Sequence, residues 1–186
     1  ALGVGWVISF PQADRMGGDS RFAASLGYAP SVLATFETPN GIYPKTTGTV
    51  IRGSDVGGIS VSGVKENYYT YDKILQGIAI APVEVDQLVR RIPLLLKTPE
   101  GWSASFGTQV LKILTNTPTY IITTNQNGIQ EIAVRGLPPV KTDSLGRKWV
   151  SWVSTTETDL QEMDVNGKFV FVGITANGVM PQVATP

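Results

Sequence analysis

Apolar positions along the chain follow two rhythms, short near-continuous runs and helical spacing. "GVGWVISF" (3–10) is apolar almost throughout rather than at every second residue, the pattern of a strand buried on both faces. "PQADRMGG" (11–18) interrupts it as a turn. Asp19 then stands where a helix N-cap belongs, ahead of Phe22, Ala23 and Leu26 on one side of a short helix. "SVLATF" (31–36) is the next buried strand. Strand, helix and strand in succession predict an α/β layer.

Residues 37–67 break the rhythm. They are rich in Gly, Pro, Ser and Thr with no helical period, which predicts either a long excursion or a pair of short hairpins. "YYTYDKILQG" (68–77) predicts a helical turn beneath it. "GIAIAP" (77–82) and "QLVRRIPLLLK" (87–97) read as adjacent strands separated by "VEVD". In "SASFGTQVLKIL" (103–114) Phe106, Val110, Ile113 and Leu114 recur at helical spacing, an amphipathic helix. "TYIITT" and "IQEIAVRG" flank the turn signal Asn127-Gly128, which predicts a β-hairpin. "RKWVSWV" (147–153) is a further strand. "STTETDLQEMD" (154–164) carries the Ser/Thr cap and early acids of a short helix, and "FVFV" forms the last strand. No internal repeat and no linker divides the chain. It therefore reads as a single α/β domain, a mixed β-sheet flanked by helices with a β-hairpin in the second half.

Composition narrows the chemistry. The 186 residues are 42% apolar and 16% charged, enough for one domain with a sizeable core. Fifteen basic residues balance fifteen acidic ones, so no global field draws the chain to nucleic acid. There is no cysteine and no histidine. This removes disulfides, a thiolate nucleophile, thiolate- or imidazole-ligated metal and any serine–histidine triad. No run approaches the roughly 18–20 apolar residues needed to cross a bilayer. The chain opens inside a strand pattern with no polar lead, as expected of a piece cut from a larger protein.

Each candidate motif has a plainer account. Gly173 to Gly178 has the glycine spacing of a phosphate loop, but Val179-Met180-Pro181 stands where Lys-Ser/Thr belongs, so a glycine turn after a core strand is expected. Gly3-Val4-Gly5 lacks the third glycine and the preceding strand of a dinucleotide fingerprint. Ser62-x-x-Lys65 matches a serine–lysine spacing without its companion motifs and reads as a solvated loop. Asp14, Arg15 and Asp19 gather just after the first strand, where open α/β sheets bind ligands; a salt-bridged turn with Asp19 as helix cap is the simpler reading. Asp86 with Arg90 and Arg91 forms a second charged cluster. Neighbours along a strand face opposite ways, so a structural ion pair is expected there rather than an anion site. No carboxylates fall at metal-ligand spacing. No catalytic set, metal or cofactor is predicted.

In order, four segments resemble a known family. "VGWVISFPQADRMGGDSRFAASL" (4–26) is similar to its strand, acidic turn and helix. "DQLVRRIPLLLKTPEGWSASFGTQVLKIL" (86–114) is similar to its arginine-bearing strand and the aromatic-x-x-Ser-apolar helix start. "GLPPVKTDSLGRKWVSWV" (136–153) is similar to its proline, Asp-x-x-Gly-Arg turn and strand. "LQEMDVNGKFVFVGITANGVMPQVATP" (160–186) resembles its closing strand, glycine loop and Thr-Pro ending. The family is the second class of CHASE domain, the cyclase and histidine-kinase associated sensory extracellular domains of bacterial receptors. The chain departs from the family pattern at Val7, where an aspartate is usual, at Asp86-Gln87 in place of Asp-Gly, and in a final loop without its acid. The family's earlier strand and helix are also missing.

The resemblance implies a non-enzymatic signal-input domain over residues 1–186, extracytoplasmic (periplasmic or extracellular) and membrane-anchored through flanking helices. It would regulate a cytoplasmic nucleotide cyclase or histidine kinase through conformational change. The stimulus is a small molecule or a protein, a homodimer is compatible, and no nucleic acid is involved. Candidate ligand contacts are Asp14, Arg15, Asp19, Asp86, Arg90 and Asn177. Two other classes stay open on the residues: an enzyme acting on a nucleotide or sugar through Asp14 and Asp19, and a protein-interaction scaffold.

Overall fold

The structure, a computed structural model, describes residues 1–44, 46, 48–117, 119–151 and 164–174. Strand β1 (Gly3–Trp6) leads through the 11–18 turn into α1 (Asp19–Ser25) and then β2 (Ser31–Ile42). Three short strands follow, β3 (Gly48–Arg52), β4 (Ile59–Ser60) and β5 (Val64–Lys65), and then a single 3-10 turn at Tyr69–Tyr71. Next come β6 (Leu75–Ala79), β7 (Arg91–Pro93), β8 (Leu95–Thr98), β9 (Gly101–Ala104) and α2 (Phe106–Thr115). The hairpin β10 (Thr119–Asn125) and β11 (Gly128–Val134) precedes β12 (Val140–Lys141), β13 (Arg147–Trp149) and β14 (Phe169–Val172).

The main sheet runs β14-β1-β2-β6 with all neighbours parallel, and β5 joins the far end of β2 antiparallel. Both faces are covered, which explains the continuous apolar runs. Val32 and Ala34 point to one face, beneath Phe106 and Val110 of α2. Leu33 points to the other, against Leu26 after α1 and the ring of Tyr71. Two close approaches need glycine. A Cβ on Gly77 would lie 2.6 Å from the Cα of Phe106, so β6 could not seat α2 as closely. A Cβ on Gly5 would lie 2.9 Å from the Phe171 ring, which lies over β1 from the edge strand β14. The Gly3-x-Gly5 pattern therefore serves packing.

A second sheet, β12-β11-β10-β3, carries the expected hairpin, with paired residues from Tyr120–Val134 to Asn125–Gly128 and a bulge after Thr123. Its core of Tyr120, Ile122, Ile129 and Ile132 joins Leu95 and Trp102 of the small sheet β4-β8-β9. The fold is mixed α/β, as read from the sequence.

Several details differ from expectation. Gly18, not Asp19, is the N-cap of α1; Asp19 is the first helical residue. Residues 37–67 are neither an excursion nor hairpins. The segment extends β2 to Ile42, β3 and β4 then pair with the remote strands β10 and β8, and β5 returns antiparallel to β2. The apolar stretches at 77–82 and 87–97 are not sheet neighbours. β6 pairs with β2, while 87–97 divides at Leu94 into β7, paired with β13, and β8, paired with β4 and β9. At that break the Leu94 N–H bonds the carbonyl of Gly146, and the Leu94 carbonyl accepts from the Ser105 N–H and from Thr108 Oγ1. The expected helix at 154–164 and the loop after Ile174 lie outside the described residues, apart from Asp164.

Candidate functional site

The 11–19 turn binds itself. Asp14 Oδ1 accepts from the Met16 N–H at 3.1 Å and Oδ2 from the Gly18 N–H at 2.7 Å. These backbone donors hold its carboxyl below the usual range. Asp19 Oδ2 accepts from the Asp14 N–H at 2.7 Å, and Oδ1 accepts from the hydroxyl of Tyr71 at 2.7 Å. The expected salt-bridged turn is thus replaced by carboxylate-to-backbone bonds, because the tight turn brings its own N–H groups nearer than any guanidinium. Arg15 is exposed and makes no ion pair among the described residues. General acid–base work by Asp14 or Asp19 would first have to break the bonds that shape the turn.

Asp86 and Arg90 belong to a six-member ion ladder. Arg90 bonds Asp86 at 2.6 Å and lies 3.8 Å from Glu84; Arg91 bonds Glu84 at 2.7 Å and Asp143 at 2.9 Å; Arg147 bonds Asp143 at 2.8 Å. Both neighbouring arginines reach Glu84, contrary to strict alternation, because Arg90 lies just before β7. The hydrogen bond from Arg90 pulls Asp86 down to about 2, and that from Arg91 lowers Glu84. At Asp143 burial pushes the pKa up, but the Arg147 N–H and guanidinium outweigh it and leave the group below its ordinary value. Three guanidinium groups and three carboxylates neutralise one another beside an open depression with Val83 and Val85 on its lip. The Arg91 guanidinium also lies over the exposed Trp149 ring at 5.3 Å, a cation–π contact. The arrangement fastens the Asp143-x-x-Gly146-Arg147 turn to β7. Asn177 lies outside the described residues.

The sequence reading missed a partly enclosed cavity, about 220 Å³ between the β2/β5/β6 end of the main sheet and α2 with β9. Ile42, Val64, Ile74, Leu75 and Ile78 give it apolar walls, and Thr35, Gln76, Ser103 and Gln109 add neutral polar groups. Glu66, Asp72, Lys73 and Lys112 line it as charges. Helix α2 presents Gln109 and Lys112 together because positions three apart share a face. The signal available in the sequence was Gln109, a polar residue on the apolar stripe of Phe106, Val110 and Ile113.

The neutral polar groups are bound to the protein. Gln109 Nε2 donates to the Gln76 carbonyl at 2.8 Å, and its Oε1 lies 3.3 Å from the Tyr120 hydroxyl. Buried Asn67 links three segments: its Oδ1 accepts from the Phe10 N–H, and its Nδ2 donates to the Ala34 carbonyl and to Gln76 Oε1. Tyr71, buried and bonded to Asp19, stands directly before Asp72 and Lys73. The cavity rim is therefore mechanically joined to the 11–19 turn. Among the described residues no group of three or more acids suits a metal ion, and no helix is long and apolar enough to cross a membrane.

A mixed α/β domain with a doubly covered sheet and a ligand-sized cavity is what the geometry defines. The chain matches the family model of the CHASE2 domain over residues 1–186 and belongs to that family, whose members are sensory extracellular domains of receptors. No curated protein and no solved structure matches the chain.

Proposed function

We propose that this chain is the extracytoplasmic signal-input domain of a bacterial transmembrane receptor, and that it regulates a cytoplasmic nucleotide cyclase or histidine kinase without catalysing a reaction itself. The match to the CHASE2 family along residues 1–186 carries the reading. A stimulus that binds one conformer better shifts the balance between conformers, and the flanking parts of the receptor pass the shift inward. The cavity beside α2 supports a small-molecule stimulus. The rim is tied through Tyr71 and Asn67 to both ends of the β1–α1 crossover, so filling it bears on the outer face of the sheet. In this reading the turn with Asp14, Arg15 and Asp19 is the surface open to a protein partner, with Arg15 unpaired on it; the membrane helices belong to other parts of the receptor.

The test replaces this domain, within its full-length protein, by an inert domain of similar size. Cyclic nucleotide synthesis or phosphoryl transfer is then measured with and without the stimulus. Basal output is expected to remain and the response to vanish. A response that survives the replacement overturns the reading.

A further inference from the structure

The charges around the α2 cavity are of both signs and gathered on one lining, yet unpaired among the described residues. The six-member ladder shows acids and bases of this chain neutralising one another at close range. Here two carboxylates, Glu66 and Asp72, and two ammonium groups, Lys73 and Lys112, line one cavity, and none of the four forms an ion pair among the described residues. Three sit at the exposed rim. Lys112 is half-buried and has no ion-pair partner among the described residues. The last turn of α2, where Lys112 sits, favours a cation; that accounts for a cation on the helix but not for a second one at Lys73 facing the same cavity.

The neutral groups narrow the ligand further. Thr35 Oγ1 donates to the Gly77 carbonyl, Ser103 Oγ to the Pro44 carbonyl, and both glutamine amides are bonded within the protein. Each of these four groups already spends a hydrogen bond within the protein, which leaves fewer for the many hydroxyls of a sugar. A dianion would face Glu66 and Asp72, and a polyamine would face the lysines. With two charges of each sign the lining is balanced, and it suits a ligand that also carries one of each. The walls of Ile42, Val64, Ile74, Leu75 and Ile78 match a short aliphatic frame between the charges. At about 220 Å³ the cavity is smaller than the ~300 Å³ at which drug-sized sites begin.

We propose that this cavity binds a small aliphatic zwitterion, with the chemistry of an aliphatic α-amino acid. Lys112 anchors its carboxylate, and Glu66 or Asp72 meets its ammonium group. The proposal rests on the sensor reading for its physiological meaning, but binding can be measured without it.

The experiment follows thermal unfolding of the whole chain with L-valine, L-leucine or L-isoleucine. The controls are 4-methylpentanoate, which keeps only the carboxylate, and 3-methylbutylamine, which keeps only the ammonium. At least one amino acid is expected to raise Tm with the logarithm of its concentration, by roughly 5–10 °C at about a hundredfold excess over Kd, and neither control should match it. Lys112→Met is expected to shift the Tm without ligand by less than about 4 °C, since only its interaction with the helix C-terminus is lost, and to weaken binding about tenfold to hundredfold. Lys73→Met should weaken it less. Three results overturn the proposal: no amino acid shifts Tm, a single-charge control shifts it equally, or Lys112→Met binds like the wild type. If the amino acids fail while domain replacement still abolishes the receptor's response, the ligand class falls and the sensor reading stands. If they bind but replacement changes nothing, the site stands and the sensor reading falls.

Discussion

Removing the Asp143 carboxylate should loosen the join between the Asp143–Arg147 turn and β7. Asp143 Oδ1 accepts the Leu145 N–H at 3.1 Å and the Arg147 N–H at 2.9 Å, while Oδ2 accepts Arg91 Nη1 at 2.9 Å and Arg147 Nε at 2.8 Å. A net hydrogen bond to an uncharged donor contributes about 1 kcal/mol, and a partly exposed ion pair about 0.5 kcal/mol. The Asp143 side chain is 22% exposed, so water compensates for part of the loss. Asp143→Ala is then expected to cost about 2–3 kcal/mol, or roughly 5–10 °C in Tm for a chain of this size. Asp143→Asn keeps an acceptor for the two N–H groups and should cost about half as much.

The pH dependence follows from linkage. Asp143 is lowered in the folded state, so its contribution is present above the unfolded value of about 3.9 and is lost as pH falls through the folded value. Urea unfolding followed by tryptophan fluorescence should show a constant gap between wild type and Asp143→Ala from about pH 7 to about pH 5, closing below about pH 4. A gap under about 0.5 kcal/mol at pH 7, within the range of an ordinary surface substitution, would refute the reasoning. So would a gap that persists undiminished at low pH.

Burial holds the Tyr120 hydroxyl above its ordinary pKa, so its stabilising effect holds below about pH 10 and fades as pH rises past that; Tyr120→Phe should flatten the alkaline arm of the stability curve, and an unchanged arm would count against this. Gly77→Ala drives a methyl against the Phe106 backbone and should cost about 2–3 kcal/mol by denaturant titration; Gly5→Ala meets ring edges able to shift and should cost less, so the reverse order would be wrong for this packing. Asn67→Asp sets a carboxylate against the Ala34 carbonyl and Gln76 Oε1. It should destabilise more at pH 7 than at about pH 4, where protonation restores a donor, and equal loss at both values would contradict the assigned bonds.

The legible elements were those whose local pattern and burial agree. β2 was readable because Val32, Leu33 and Ala34 are all fully buried. The amphipathic face of α2 and the Asn-Gly hairpin were readable because each signal lies within a few residues. β3 and β4 were not, since strands of two to five residues with partly exposed side chains take their state from remote partners rather than from propensity. The division of 87–97 at Leu94 was hidden for a similar reason: it depends on Gly146, Ser105 and Thr108, none of them nearby in sequence. The charged cluster at Asp86 and Arg90 was visible as composition, but Glu84, Asp143 and Arg147 complete it only through the β7–β13 pairing.

By itself the sequence determined the α/β class, the two helices, the family resemblance and the lack of thiol and imidazole chemistry. The resemblance rests on four motif-bearing segments in order, and the rest follows from composition and from periods of two to four residues. Only the tertiary structure decided that Glu66, Asp72, Lys73 and Lys112 share one cavity and that Gln109 is already engaged by the protein. The physical reason is that a cavity is bounded by segments brought together through sheet order and helix docking. Here those depend on close approaches such as Gly77 to Phe106, distances that no local pattern along the chain encodes.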